Sequence, residues 1–421
     1  MTVYETDEII ERVILVGVAF DTDDDTERSL DELGELAKTA GAQTVGRMIQ
    51  TRDNFHPATY IGKGKIEELR LMIDELDATG IICDDELSPA QFKNLEDELG
   101  VKVMDRTMVI LDIFAARATS SEGKIQVEMA QLKYRSIRLA GFGTSMSRLG
   151  GGIGTRGPGE KKIETDRRLI RDRISKLSAD LKDMKEHRDV QRSKRAKTST
   201  SVAAIVGYTN AGKSTLLNKL TDAGVLSENK LFATLDITSR SLELPDGRSV
   251  MLIDTVGLIR RLPHNLVEAF KSTLEEAASA DIILNVQDLS SPEQEEQAEV
   301  TRKLLSELGC DGIPQINVMN KVDAALNPDT VFEDSLTVAI SAKHHQGFER
   351  LLKCIAENLP ETAKRMKLLI PYDKTSLIGK IRLEGKIFSE EYIENGTLID
   401  ALVDKKLISQ AEQYKIKADT P

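Results

Sequence analysis

Gly207-Tyr208-Thr209-Asn210-Ala211-Gly212-Lys213-Ser214 stands between an apolar run, Val202–Val206, and Thr215-Leu216-Leu217-Asn218-Lys219-Leu220, the start of a helix. Strand, glycine loop and helix, in that order, make a phosphate cradle. Glycines let backbone N–H groups converge on phosphate oxygens, and the helix N-terminus adds its positive end. Lys213 would bridge the β- and γ-phosphates, and the Ser214 hydroxyl would ligate Mg²⁺. The stretch predicts a P-loop nucleotide domain, a mixed sheet flanked by helices.

Motifs further along assign the base and the metal. Asn320-Lys321-Val322-Asp323 closes the apolar stretch Ile313–Met319. A carboxylate there accepts both N–H groups of the guanine edge, which adenine does not offer. Asp323 therefore selects GTP, with Asn320 supporting the base and the Lys321 stem lying on its face. Such a tetrapeptide alone is a surface loop; placed in order after a phosphate loop it reads a base. Between the two, Phe232-Ala233-Thr234-Leu235-Asp236 offers Thr234, whose hydroxyl and backbone can complete the Mg²⁺ shell and sense the γ-phosphate. The apolar strand Val250–Ile253 ends in Asp254-Thr255-Val256-Gly257, where Asp254 would hold a Mg²⁺-bound water and the Gly257 N–H would meet the γ-phosphate. Ser341-Ala342-Lys343 follows the strand Leu336–Ile340 as a guanine-supporting turn.

The expected catalytic set is Lys213, Thr234, Gly257 and Asn210. Many GTPases place Gln after this last motif to orient the attacking water, but Leu258 neither donates nor accepts a hydrogen bond. Intrinsic hydrolysis is expected to be slow, with the missing element supplied by a partner or a bound cation. The Asn210 oxygen could ligate potassium against the phosphates; the other reading is that Asn210 tolerates a left-handed turn.

A chain of 421 residues exceeds one compact core and suggests about three domains. Its 40% apolar and 30% charged content is that of a soluble globular protein. No apolar run approaches the ~20 residues that span a bilayer, and Met1–Asp7 lacks the order of a signal peptide. The expectation is a cytoplasmic protein. Cys83, Cys310 and Cys354 lie far apart with no C-x-x-C, so buried free thiols are expected. The net charge of −12 hides an asymmetry: residues 124–198 carry 20 Lys and Arg against 9 Asp and Glu, which leaves 37 against 60 elsewhere. A basic segment in an acidic chain suits a partner with phosphates, while the acidic body discourages indiscriminate binding.

Four segments follow along the chain. Residues 1–107 form an N-terminal α/β domain, because Arg12–Val18, Thr26–Ala40, Gln43–Gln50, Lys63–Glu75, Gly80–Asp84, Ser88–Leu99 and Val101–Met104 alternate strand and helix around a mostly parallel sheet. Within it Tyr60-Ile61-Gly62-Lys63-Gly64-Lys65 reads as a helix-entry turn or a second nucleotide loop. Residues 108–198 form a helical hairpin. Its first arm carries Ile125, Met129, Leu132 and Leu139, and its second carries Ile163, Ile170, Ile174, Leu177, Leu181 and Met184. Between the arms Gly141–Gly159 holds eight glycines in 19 residues, with Arg148 and Arg156. It reads equally as a flexible tether or as a finger for a phosphate-lined cleft. Lys194–Thr200 looks like an exposed basic linker. Residues 199–360 carry the GTPase domain, and residues 361–421 a small α+β C-terminal domain with Lys367–Ile370, Ser376–Arg382, Lys386–Ile393 and Gly396–Val403 as elements.

Along nearly its whole length the chain resembles the HflX family of ribosome-associated GTPases. The resemblance rests on Gly150-Gly151-Gly152-Ile153-Gly154-Thr155-Arg156-Gly157-Pro158-Gly159-Glu160, on Asp105-Arg106-Thr107, on Tyr60-Ile61-Gly62-Lys63-Gly64 and on the nucleotide motifs. It implies a GTPase on the large (50S) ribosomal subunit, whose hairpin loop reaches toward the peptidyl-transferase region and its rRNA and whose GTP form helps split stalled ribosomes; a monomer is expected. It also turns Gly141–Gly159 from tether to probe. Leu258 departs from the family, where an aromatic is usual. Rival readings are a GTPase of ribosome assembly or of tRNA, and a GTP-gated RNA-binding scaffold with negligible turnover.

Overall fold

The computed structural model describes residues 10–20, 25–147, 158–197, 201–221, 231–232, 238–261, 276–325 and 334–416. In the long helices, side chains are described at 121–139, 164–186 and 188. The chain divides into two compact units, one of Met1–Met184, Asn229–Asp236 and Arg261–Lys271, the other of Lys185–Glu228, Ile237–Arg260 and Ser272–Pro421.

In the first unit, strands β1 (Arg12–Ala19), β2 (Gln43–Thr51), β3 (Gly80–Cys83) and β4 (Lys102–Asp105) form a sheet of order β2-β1-β3-β4. Every pairing is parallel. Val13 to Ala19 are all buried, the unbroken apolar run of a strand covered on both faces. Helices α1 (Thr26–Thr39), α2 (Lys63–Glu75) and α3 (Pro89–Leu99) supply the crossovers. α3 starts where sequence chemistry demands: Ser88 and Gln91 form a reciprocal capping box, Pro89 opens the first turn, and Gly100 ends the helix in the left-handed region. Tyr60–Lys65 forms the entry to α2, and the Gly62 N–H there donates to Gln50 Oε1 at 2.8 Å.

Helices α4 (Arg106–Arg117), α5 (Ser121–Ser147) and α6 (Pro158–Lys197) complete the helical part. α5 and α6 run antiparallel: Arg173 grips Glu128 with two bonds of 2.7 and 2.9 Å, and Arg167 donates to Leu139 O at 2.7 Å. The structure differs from the sequence reading in three places. Gly141 and Gly143 lie inside α5, although each costs a helix about 1 kcal/mol relative to Ala. Lys194–Lys197 continue α6 rather than forming a linker. On α5 the buried residues among those described are Gly123, Gln126, Val127, Ala130 and Tyr134, while Ile125, Met129 and Leu132 are half-buried. The helix serves neighbours on two sides, and its packing on α3 and α4 buries a face that is not the most apolar one. Arg148 and Arg156 lie outside the described residues.

In the second unit, β5 (Ser201–Gly207), β6 (Thr238–Glu243), β7 (Ser249–Asp254), β8 (Ile282–Asp288), β9 (Gln315–Asn320) and β10 (Thr337–Ala339) form a sheet of order β10-β9-β8-β5-β7-β6. Only β6 is antiparallel. Its sequence, Thr238-Ser239-Arg240-Ser241-Leu242-Glu243, has no buried residue, as an edge strand allows. Helices α7 (Lys213–Thr221), α8 (Gln294–Glu307) and α9 (Phe348–Asn358) accompany it. Leu216, Leu217, Leu252, Leu284, Val318 and Leu351 belong to its fully buried core. The C-terminal part is a sheet of β11 (Ala363–Ile370), β12 (Lys386–Ile393) and β13 (Gly396–Asp404) with β13 central, together with α10 (Thr375–Glu384) and α11 (Lys405–Ala411). The expected α/β class is thus what forms. All three cysteines are free and buried. Among the described residues no helix is long and apolar enough to cross a membrane.

Candidate nucleotide site

β5, β8 and β9 are parallel neighbours, and ligands of such sheets bind beyond the strands' carboxyl ends. Every predicted motif among the described residues of this unit follows the end of β5, β7, β9 or β10. β5 delivers Gly207 and the loop, and α7 begins at Lys213. The Lys213 ammonium is buried and donates to Gly207 O at 3.0 Å and Tyr208 O at 2.7 Å. Burial lowers its pKa to about 8, with the Asp254 charge opposing the shift. The Ser214 hydroxyl donates to Asp254 Oδ2 at 2.8 Å, and Asp254 is wholly buried at the end of β7. Two hard oxygen donors side by side beneath a phosphate loop suit Mg²⁺. The Thr209 hydroxyl is also buried and has no hydrogen-bond partner, a polar group left over for a ligand.

Asn320 fastens the base side to the phosphate side. Its Nδ2 donates to Ala211 O at 2.8 Å, and its Oδ1 accepts from the Ala342 N–H at 2.9 Å. Gly212 is needed where they meet: it has φ +97, and a Cβ there would lie 2.3 Å from Asn320 Nδ2. Asp323 accepts from the Ser341 hydroxyl at 2.5 Å, and His344 Nε2 lies 3.6 Å from its other oxygen. The Ser341 bond is the main cause that holds the Asp323 carboxyl below its ordinary pKa. The Val322 N–H donates to Ile340 O, which lashes the reading loop to the Ser341-Ala342-Lys343 turn; Lys343 is exposed.

Thr255 is buried and gives both its N–H and its hydroxyl to Ile205 O. Val256 is buried, and Gly257 abuts Thr209 and Lys213. Asn210 is exposed with φ +61, and Thr215 opens α7 behind Ser214. Phe232 counts with the first unit, its ring edge-to-face on Phe114 of α4 with centroids 4.7 Å apart. Ala233, Thr234, Leu235 and Asp236 lie outside the described residues.

Two participants are not in the motifs. Asp288 ends β8 opposite Asn320, and its Oδ2 takes the Lys321 ammonium at 2.6 Å while Oδ1 accepts from Ser290. It steadies the stem expected under the base. The available signal was position, an acidic residue closing a strand at the sheet's binding end. The second is Leu258, 2% exposed, whose backbone pairs with the phosphate loop.

Residues 27–115 match the family described as GTP-binding GTPase N-terminal, residues 117–195 its middle region, and residues 202–321 the 50S ribosome-binding GTPase. A protein of Lacrimispora saccharolytica called GTPase HflX is 56% identical to the chain over 96% of each sequence. A GTPase HflX of Caldanaerobacter subterraneus is 51% identical, covering 96% of this chain and 94% of its own length. One of Alkalihalophilus pseudofirmus is 45% identical, covering 97% and 98%.

Proposed function

Since the chain belongs to the HflX family of GTPases, and so binds and hydrolyses GTP and associates with the ribosome, we propose that its GTP form docks on the large ribosomal subunit and splits or rescues stalled ribosomes. Intrinsic turnover is slow, and docking accelerates it. The observation that carries this reading is Leu258: an apolar side chain, buried at 2% exposure, occupies the position from which a Gln would orient the attacking water. The enzyme then lacks a group that the reaction needs, and a partner is its natural source. The basic helices α5 and α6, of family-wide kind by their match over residues 117–195, supply the complementary surface for rRNA.

In this reading the described residues divide the work. Lys213 and the amides of Gly207–Thr215 neutralise and orient the phosphates; the Gly257 amide meets the third one. Asp323, held by Ser341, accepts from guanine, while Asn320 fixes the loop and Asp288 fixes Lys321. Ser214 would hold Mg²⁺ together with Thr234, and Asp254 would orient a water on it; the ion supplies charge compensation at the transferred phosphate. Asn210 is assigned a potassium ion. Its position on the loop, exposed and beside Ala211-Gly212-Lys213-Ser214, leaves the amide oxygen free to face the phosphates. The protein works as a cytoplasmic monomer, with residues 1–107 and 108–198 as the ribosome-facing part, 199–360 as the engine and 361–421 as an appended domain.

The deciding measurement is the GTPase rate with and without purified large subunits. Acceleration by mature subunits is expected; a rate that stays flat with every ribosomal particle would leave a GTP-gated scaffold.

A further inference from the structure

We propose that Tyr208 is a positioning residue that favours GTP over GDP: its phenol ties the segment after β7 to the phosphate loop and so holds the Gly257 backbone where the third phosphate arrives. The inference rests on the GTPase reading of this site.

Residues 255–260 leave β7 and run beside the phosphate loop, paired with it by a single β-bridge between Leu258 and Tyr208. Thr255 donates twice to Ile205 O, at 3.3 and 2.8 Å. The Leu258 N–H donates to Gly207 O at 3.1 Å, and the Thr209 N–H donates to Leu258 O at 2.7 Å. These last two bonds join backbone to backbone and could form with many sequences. The pin at the far end is different: the Arg260 N–H donates to the Tyr208 phenol oxygen at 2.7 Å. Only a side chain with an oxygen at the length of a phenyl ring closes it. Tyr208 is 6% exposed, so Phe would fill the same space and lack the hydroxyl alone.

Gly257 sits between the pins and has no room to drift inward. A methyl on its Cα would lie 2.7 Å from Thr209 Cγ2, 3.1 Å from Thr209 Cα and 3.2 Å from Lys213 Nζ. The segment thus holds Gly257 against the lysine that reaches for the β- and γ-phosphates. Without the phenol pin the segment loses its fixing beyond Leu258, the backbone pair at Leu258 frays more readily, and GTP must order it again before the Gly257 amide can donate. GDP has no third phosphate and loses nothing. The competing account is a core aromatic whose hydroxyl has merely found a partner; it gives no reason for the two nucleotides to differ.

The test uses full-length Tyr208→Phe against the parent chain. Affinities for GDP and for a non-hydrolysable GTP analogue are measured, with hydrogen exchange across 257–261 in the nucleotide-free protein. The expected result is a fall of about three- to tenfold in the affinity for the analogue relative to that for GDP, the worth of one hydrogen bond, and faster exchange of the segment. An unchanged ratio of the two affinities overturns the proposal, and so does an equal loss for both nucleotides, which a packing role would give. A parent chain that binds neither guanine nucleotide would overturn the GTPase reading itself, a result distinguishable from either.

Discussion

Asp323 can read guanine because its neighbours leave it one task. Ser341 bonds one oxygen and keeps the carboxyl ionised below its ordinary range, so the acceptor form is lost only as pH falls through that lowered value. The preference for guanine is therefore expected to be flat from pH 8 to pH 5, and Ser341→Ala should move its acid loss upward; competition binding across that range checks both. Asp323→Asn exchanges an acceptor for a donor against guanine N–H groups. Affinity for GTP should fall roughly ten- to hundredfold, and xanthine nucleotides should gain. Unchanged GTP affinity would place the base elsewhere. Asn210 offers a second test, since its left-handed φ of +61 has an ordinary explanation in turn chemistry. If its oxygen also holds potassium, hydrolysis should be faster in potassium than in sodium at equal ionic strength, and Asn210→Ala should abolish the difference. Residues of this kind are legible in sequence because phosphate and guanine each demand a fixed set of donors at fixed spacing. Asp288 was not, because its partner Lys321 lies 33 positions away and only the β8–β9 register brings them together.

The helical elements show where composition alone falls short. Asp105 stands at the junction of β4 and α4, wholly buried, and accepts from the Met108 and Leu87 amides at 3.0 and 3.2 Å, from Arg138 Nη2 at 3.1 Å and from the Tyr134 hydroxyl. Next to it Arg106, 2% exposed, reaches Asp84 at 2.9 Å and Glu32. The Asp105-Arg106-Thr107 tripeptide is thus the polar rivet that fixes α4 and α5 to the small sheet. Asp105→Ala leaves the half-buried Arg138, the buried Tyr134 hydroxyl and two amides without their acceptor and should cost about 3–5 kcal/mol. Glu128→Ala, which removes the exposed partner of Arg173, should leave the unfolding midpoint where it is. Urea unfolding of the two variants makes the comparison, and equal midpoints would deny Asp105 its role. The parallel βα units of residues 12–105 were readable from alternating periods of two and 3.6, which tertiary packing reinforces. β6 was not, because an exposed edge strand needs no apolar face. The buried face of α5 was not either, because it answers to α3 and α4, whose packing on it no local pattern announces.

At the scale of the whole molecule the governing quantity is where the charge lies. A chain of net charge −12 would be repelled by rRNA if its charge were spread evenly. Residues 124–198 instead concentrate 20 Lys and Arg against 9 acidic residues, most of them on α5 and α6, with Arg148 and Arg156 in the segment that joins the two helices. A chain whose positive charge is concentrated in one segment meets a phosphate-lined partner preferentially through that segment, which is how electrostatics biases a docking pose as well as an encounter rate. Arg148→Glu with Arg156→Glu should weaken binding to large subunits and flatten its salt dependence, by roughly one unit of slope for each phosphate that is no longer neutralised. GTP affinity of the free protein should stay as it was, because the P-loop residues lie on other elements. The two measurements separate the causes: a change in affinity with an unchanged slope would point to poorer shape complementarity, and full retention of both would make Gly141–Gly159 a tether. Stimulation of hydrolysis is the stricter readout. If docking supplies what Leu258 cannot, the double variant should need a higher concentration of subunits to reach the parent's rate, with the same limiting rate once saturated. A lower limiting rate at saturation would mean that the arm takes part in activation as well as in binding.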